Sequence, residues 1–117
     1  MSKLAERNCQ PCRAGSPPVD ASARPVLLAQ LTGWSIEQAD GMDQLGAQFT
    51  FANFAKALAF ANRVGELAEA ADHHPRIVLE WGKVEVRWWT HAIGGLHEND
   101  FIMAARTSAA FNAGFNN

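Results

Sequence analysis

The strongest constraint on the fold is a stretch in which apolar and polar residues alternate on both sides of a glycine-containing turn. The apolar positions before Gly82-Lys83 are Ile77, Leu79 and Trp81, and those after it are Val84, Val86 and Trp88. A period of two is typical of a strand with one buried face, and Gly82 suits the positive φ of a two-residue turn. The stretch therefore predicts a β-hairpin in which Trp81 pairs with Val84, Leu79 with Val86 and Ile77 with Trp88.

A second hairpin is predicted upstream, around the turn residues Asp40-Gly41. Trp34 and Ile36 precede this turn, and the alternating apolar residues that follow it are Leu45, Ala47, Phe49 and Phe51. Each hairpin would present one apolar face to the core.

Three helices are predicted from apolar residues at helical spacing. The first is capped by Asp20 or Ser22, has Pro25 in its first turn and ends at Gly33, with Val26, Leu27, Leu28 and Leu31 inside. The second follows the cap Asn53 over about residues 54 to 71, with Phe54, Leu58, Ala61, Val64 or Gly65, and Ala68 inside. The third opens at His97–Asp100, with Phe101, Ala104, Ala105 and Ser108 or Ala109 inside.

This order of elements, helix, two strands, helix, two strands, helix, predicts an α+β fold. We expect a single four-stranded antiparallel sheet with the helices packed on one face. The other face would carry Glu85, Arg87, Trp89 and His91. An exposed Trp89 there would indicate either self-association or an ordinary surface tryptophan.

Residues 1–19 contain three prolines and no apolar period, so we expect a flexible arm before a single domain over residues 20–117. Cys9 and Cys12 in this arm form one Cys-x-x-Cys. A structural zinc needs four ligands and a redox pair needs a βα context. We therefore interpret the two cysteines as thiols on a polar arm.

Composition excludes several classes of function. The net charge is -2, with 10 Lys and Arg against 12 Asp and Glu, so nothing favours nucleic-acid binding. No apolar run approaches the roughly 20 residues that span a bilayer, and the N-terminus lacks the apolar segment of a signal peptide. We expect a cytoplasmic protein.

Three of the four histidines are gathered in Asp72-His73-His74-Pro75 and Thr90-His91. Extending the predicted hairpin register places His74 opposite His91, and Pro75 marks the passage from helix to strand. Glu69, Asp72 and Asp100 supply nearby carboxylates, which together favour acid/base chemistry. A purely structural role and a zinc site stay open, although adjacent His73 and His74 would point in different directions.

The same residues resemble the signature of the pterin-4a-carbinolamine dehydratases, bacterial type. The resemblance runs over about residues 20 to 111, through Glu69-x-x-Asp72-His73-His74-Pro75, Gly82-Lys83-Val84, Thr90-His91 and Gly95-Leu96-x-x-x-Asp100. His97 departs from it, since a capping Ser or Thr is common there, and this predicts poorly satisfied N–H groups at the start of the last helix.

The resemblance implies removal of water from a 4a-hydroxytetrahydropterin, in tetrahydropterin recycling for aromatic amino-acid hydroxylation. It implies that His73, His74 and His91 are catalytic, and that Glu69 and Asp100 support them. Pro75, Thr90, Ala92 and Ile93 would line the pterin. Because the pterin is the substrate, neither a cofactor nor a metal is implied.

Partners also follow from the resemblance: a phenylalanine hydroxylase, and further copies of the chain in a homodimer or homotetramer. Two alternatives remain. One is a non-enzymatic dimerisation or regulatory protein, and the other is a zinc hydrolase that uses the same histidines.

Overall fold

In the computed structural model, which describes residues 4–9 and 17–115, four antiparallel strands form one sheet in the order β1-β2-β4-β3. The strands are β1 (Ser35–Ala39), β2 (Met42–Thr50), β3 (Arg76–Glu80) and β4 (Lys83–Trp88). The helices are α1 (Arg24–Leu28), α2 (Phe54–Ala71) and α3 (Glu98–Gly114), with short 3-10 helices at Leu4–Glu6 and His91–Ile93. The predicted α+β fold is confirmed.

The core lies between the sheet and the helices α2 and α3. Inward residues of β2 and β4 are buried. Phe60 of α2 packs against Phe49 and Phe111 with ring-centroid distances of 4.9 and 5.6 Å, and these two rings also contact each other. No helix among the described residues is long and apolar enough to cross a membrane.

The first hairpin forms as predicted. Asp40 and Gly41 both have positive φ, 55° and 76°, which is the backbone conformation of a two-residue turn that follows the twist of the strands. Ile36 pairs with Leu45 and Ala39 with Met42, so the turn consists of Asp40 and Gly41 alone.

The second hairpin has the predicted faces but a different register. Glu80 pairs with Lys83 and Leu79 with Val84, so the turn is Trp81-Gly82 and not Gly82-Lys83. The predicted pairs of Trp81 with Val84, Leu79 with Val86 and Ile77 with Trp88 are therefore wrong by two residues. Trp81 is 69% exposed, since it lies in the turn.

Two helices also differ from their predicted faces. In α2, Asn53 accepts a hydrogen bond from the backbone N–H of Lys56 as expected, but the buried residues are Ala57, Phe60, Val64 and Ala68. Phe54 and Leu58, predicted inside, are 44% and 41% exposed. Helix α1 is a single short turn without a side-chain cap, and its Val26 is 63% exposed.

The outer face of the sheet is less open than predicted. Arg87 lies there in ion pairs with Glu37 and Glu85, at 3.2 and 3.6 Å. Trp89, expected to be exposed, keeps only 9% of its surface accessible and belongs to the core cluster. Its burial removes the surface argument for self-association, and the oligomer remains an expectation from the resemblance.

The N-terminal segment packs on α3 where the structure describes it. Leu4 is 2% exposed, and Arg106 of α3 donates hydrogen bonds to the carbonyl oxygens of Ala5 and Arg7. Residues 4–9 are thus part of the folded body, in contrast to a free arm. Cys12 lies outside the described residues, and the domain boundary at residue 20 stays a prediction.

Candidate active site

The end of α2 sets the position of the two adjacent histidines. Asp72 adopts a left-handed conformation, φ 51°, and the backbone N–H of His73 donates to the carbonyl of Ala68 at 3.2 Å. This Schellman-type closure ends the helix and turns the chain towards β3. The prediction that His73 and His74 lie where helix passes into strand is confirmed.

His73 points inward and meets the first turn of α3. Its Nε2 atom lies 2.6 Å from Oδ1 of Asp100, and the imidazole stacks on Trp88 with a centroid distance of 5.7 Å and an interplanar angle of 7°. Trp88 is itself fixed, because its indole N–H donates to Oγ1 of Thr107 on α3 at 3.1 Å. The hydrogen bond to Asp100 therefore fixes the His73 ring within its own plane, and the stacking on Trp88 supports one face of the ring.

Asp100 connects three parts of the site. It is fully buried, and its Oδ2 atom accepts hydrogen bonds from the Thr90 hydroxyl and the His97 backbone N–H, both at 2.8 Å. A buried carboxylate requires such donors to replace water. A carboxylate can only accept, so an ionised Asp100 would pair with the His73 tautomer that carries its proton on Nε2, and Nδ1 would then be left for proton exchange.

His74 faces the other way, towards α2. Its Nε2 lies 3.2 Å from Oε1 of Glu69, and the two side chains are 52% and 80% exposed, so water screens this pair strongly. His74 and Pro75 line an open groove of about 820 Å³. Its other walls are Asn62, Gly65, Glu66, Ala68, Glu69 and Ile77.

His91 lies in the short 3-10 helix after β4. This turn is closed by an isolated bridge between Thr90 and Gly95, and Gly94 has φ 61°. The His91 ring contacts Trp89 at a centroid distance of 4.7 Å. Its predicted place opposite His74 is wrong, because Arg76 pairs with Arg87 and the same count puts Trp89 across from His74.

The remaining predicted residues lie around these histidines. Thr90 is buried with its hydroxyl on Asp100, whereas Ala92 is exposed and Ile93 half-buried on the 3-10 turn. Trp88 was predicted only as a core residue. Its stacking on His73 depends on the position of the sheet relative to α2, which strand periodicity does not determine.

His97 caps α3, so the prediction of poorly satisfied N–H groups at the start of this helix is wrong. Its Nδ1 atom accepts a hydrogen bond from the backbone N–H of Asn99 at 3.0 Å, while Asp100 accepts from the backbone N–H of His97. The two bonds form a capping box. A histidine thus replaces the hydroxyl cap that the resemblance led us to expect.

The donor set does not fit a zinc ion. His73 and His74 bond carboxylates on different helices, and within residues 4–9 and 17–115 no three His, Cys, Asp or Glu side chains are grouped to hold a metal. The arrangement fits proton transfer by imidazoles better than coordination.

A family model and the sequences of known relatives indicate the same family for this chain. The model of the pterin 4 alpha carbinolamine dehydratase family matches residues 17–110. A protein of Marinobacter nauticus is 51% identical over 111 residues, covering 95% of this chain and 100% of the relative. One of Chlorobium limicola is 53% identical over 107 residues, covering 92% and 95%. Both carry the provisional name pterin-4-alpha-carbinolamine dehydratase.

Two solved structures are similar to this chain. A transcriptional coactivator/pterin dehydratase from Brucella melitensis is similar with a TM-score of 0.71 and 30% identity, over 80% of this chain and 97% of that chain. A pterin dehydratase-like protein identified as a RuBisCO assembly factor in the alpha-carboxysome has a TM-score of 0.56 and 24% identity, over 66% and 87%. The latter likeness shows the fold alone.

Proposed function

Because this chain belongs to the pterin 4 alpha carbinolamine dehydratase family of hydro-lyases, we propose that it dehydrates a 4a-hydroxytetrahydropterin by histidine acid/base catalysis. The observation that carries the mechanism is the contact of 2.6 Å between His73 and the buried Asp100. A carboxylate that fixes one ring nitrogen orients the other for proton transfer.

The reaction balances with protons alone. The C4a–O bond breaks and the departing hydroxyl gains a proton to become water. The adjacent ring nitrogen loses its proton, and its electron pair forms the C=N bond of the quinonoid dihydropterin. One protonated and one neutral imidazole on opposite sides of the pterin would perform these two transfers.

We assign these two transfers to members of the set His73, His74 and His91. His73 points inward onto Asp100, whereas His74 is exposed on the α2 side and His91 is exposed on the turn after β4. The Pro75 groove and the turn bearing Thr90, Ala92 and Ile93 would hold the pterin. The natural context would be tetrahydropterin recycling for an aromatic amino-acid hydroxylase such as phenylalanine hydroxylase.

The test is the decay of a 4a-hydroxytetrahydropterin generated in situ. Purified full-length protein should accelerate decay over a heat-killed sample, and His73→Ala, His74→Ala and His91→Ala should each lose most of the acceleration. Glu80→Gln, at the exposed end of β3, serves as the surface control and should match the wild type. Equal decay with native and heat-killed protein would refute the proposal.

A second candidate is a regulatory partner protein, because the Brucella melitensis neighbour is described as a transcriptional coactivator as well as a dehydratase. Co-purification with a hydroxylase or a regulator, together with no dehydratase activity, would favour it.

A further inference from the structure

The cap of α3 depends on an atom that can be protonated. A backbone N–H can only donate, so the bond of 3.0 Å from Asn99 N–H to Nδ1 of His97 requires that Nδ1 be bare. The cap therefore exists only with a neutral imidazole that carries its proton on Nε2. Serine and asparagine caps have no such requirement, since their oxygens accept at any pH near neutrality.

The first turn of α3 also carries Asp100, the carboxylate that bonds His73. Asp100 lies three residues after His97 and accepts from the His97 backbone N–H at 2.8 Å, and its other oxygen meets His73 at 2.6 Å. Protonation of His97 would remove the acceptor for Asn99 and place a positive charge at the positive end of the helix dipole. Both effects loosen the turn that carries Asp100.

The charged groups around His97 have mixed signs. Glu98 adjoins it on α3 and pairs with Arg7 of the N-terminal segment at 2.7 Å. Arg7, Glu98 and Asp20 line one cleft of about 550 Å³ with His97. Within α3, the carboxylate of Asp100 accepts a hydrogen bond from the backbone N–H of His97.

We propose that His97 is a positioning residue for the dehydration: its neutral imidazole keeps Asp100 on His73, and its protonation weakens that coupling. The inference rests on the proposed function. It predicts that acid pH lowers turnover through the cap, in addition to any effect of protonating His73, His74 or His91.

The test compares full-length wild type with His97→Ser, a cap that does not titrate, and His97→Ala, which has no cap. His97→Ser should match the wild-type kcat at pH 8.0. At pH 5.5 its kcat should exceed that of the wild type by about threefold to tenfold, if the free energy of one helix cap is what holds Asp100 on His73. His97→Ala should be slower than His97→Ser at both pH values. His97→Asn replaces His97→Ser if the latter does not fold.

A second readout does not need activity. In long-range nitrogen NMR spectra, the His73 ring signals of the wild type should shift as His97 protonates, and this component should be absent in His97→Ser. Identical pH profiles and identical His73 shifts in the wild type and His97→Ser would overturn the inference. If neither the wild type nor His97→Ser dehydrates the pterin but the His73 signals of the wild type still respond to protonation of His97, the proposed function fails and the link between His97 and His73 stands.

Discussion

Asp100 and Thr90 illustrate, at the scale of single residues, how the site replaces water with fixed donors. Both are buried, at 0% and 2% exposure, and they are joined by a hydrogen bond of 2.8 Å. A hydrogen bond to a charged group stabilises a protein by roughly 1.5–3 kcal/mol. The Thr90 hydroxyl should therefore matter for stability as well as for the orientation of His73.

We predict that Thr90→Val, which preserves shape but removes the donor, lowers the free energy of unfolding by about 2 kcal/mol. The matched control is Thr50→Val at the exposed end of β2, for which the change should stay within about 0.5 kcal/mol. Urea unfolding monitored by tryptophan fluorescence measures both. Equal effects in the two variants would show that the bond to Asp100 contributes nothing.

At the scale of elements, the sequence predicts which faces of the strands are buried but not how they are aligned. Moving β3 by two residues along β4 keeps Leu79 and Val84 on the same face, so alternation cannot distinguish the two registers. The turn does not decide it either, because Gly82 lacks the positive φ predicted for it. A Cβ on Gly82 would lie 3.0 Å from the carbonyl oxygen of Phe51, and that close approach is what glycine permits here. The predicted opposition of His74 and His91 was wrong for this reason.

Helix α2 shows a related limit. Its alanine-rich sequence has apolar residues at helical spacing on two faces, one through Phe54 and Leu58 and one through Ala57 and Phe60. Periodicity alone cannot choose between them. The choice follows from the aromatic residues Phe49 of β2 and Phe111 of α3, which contact Phe60. By contrast, the start and the end of α2 are predicted from nearby residues, the cap Asn53 and Pro75.

The ion pair between Arg24 of α1 and Asp43 of β2, at 2.8 Å, gives a prediction about pH. The hydrogen bond from Arg24 lowers the pKa of Asp43, and one from Gln38 acts in the same direction. Folding therefore favours the ionised carboxylate. The resulting stability is complete above the unfolded value of about 4 and is lost as the pH falls through the lowered pKa.

Accordingly, Asp43→Asn should reduce the unfolding free energy at pH 7, and its difference from the wild type should shrink as the pH falls below about 4. Urea titrations at several pH values between 2 and 7 measure this. A difference that stayed constant across the range would contradict the assigned role of the ion pair.

At the scale of the whole molecule, the N-terminal segment adds a layer to α3. Leu4 enters the core, and Arg106 joins α3 to two backbone carbonyls of the segment. Residues 1–19 have no apolar period and gave no sign of this, because one buried leucine has no periodicity. The segment also brings Arg7 to Glu98, next to the cap of the helix that carries Asp100.

Leu4→Ala should lower the unfolding free energy by about 2–3 kcal/mol, through lost burial and a residual cavity. Val26→Ala on α1 is the control, since Val26 is 63% exposed and its truncation should change stability by less than about 0.5 kcal/mol. If the two variants unfold at the same urea concentration, residues 4–9 do not pack as described.

The central claim is that a buried carboxylate orients His73 for dehydration, and Asp100→Asn tests it most directly. In this variant the amide oxygen can keep the hydrogen bonds from Thr90 and His97, which places the amide NH2 group opposite Nε2 of His73. Because an NH2 group can only donate, Nε2 would have to carry no proton, and the wrong tautomer of His73 is favoured. We predict that kcat for dehydration of a 4a-hydroxytetrahydropterin falls by about 10²- to 10⁴-fold, as expected when a histidine loses its orienting carboxylate. Asp40→Asn in the β1–β2 turn should retain the wild-type kcat. A folded Asp100→Asn variant with wild-type turnover would contradict the account.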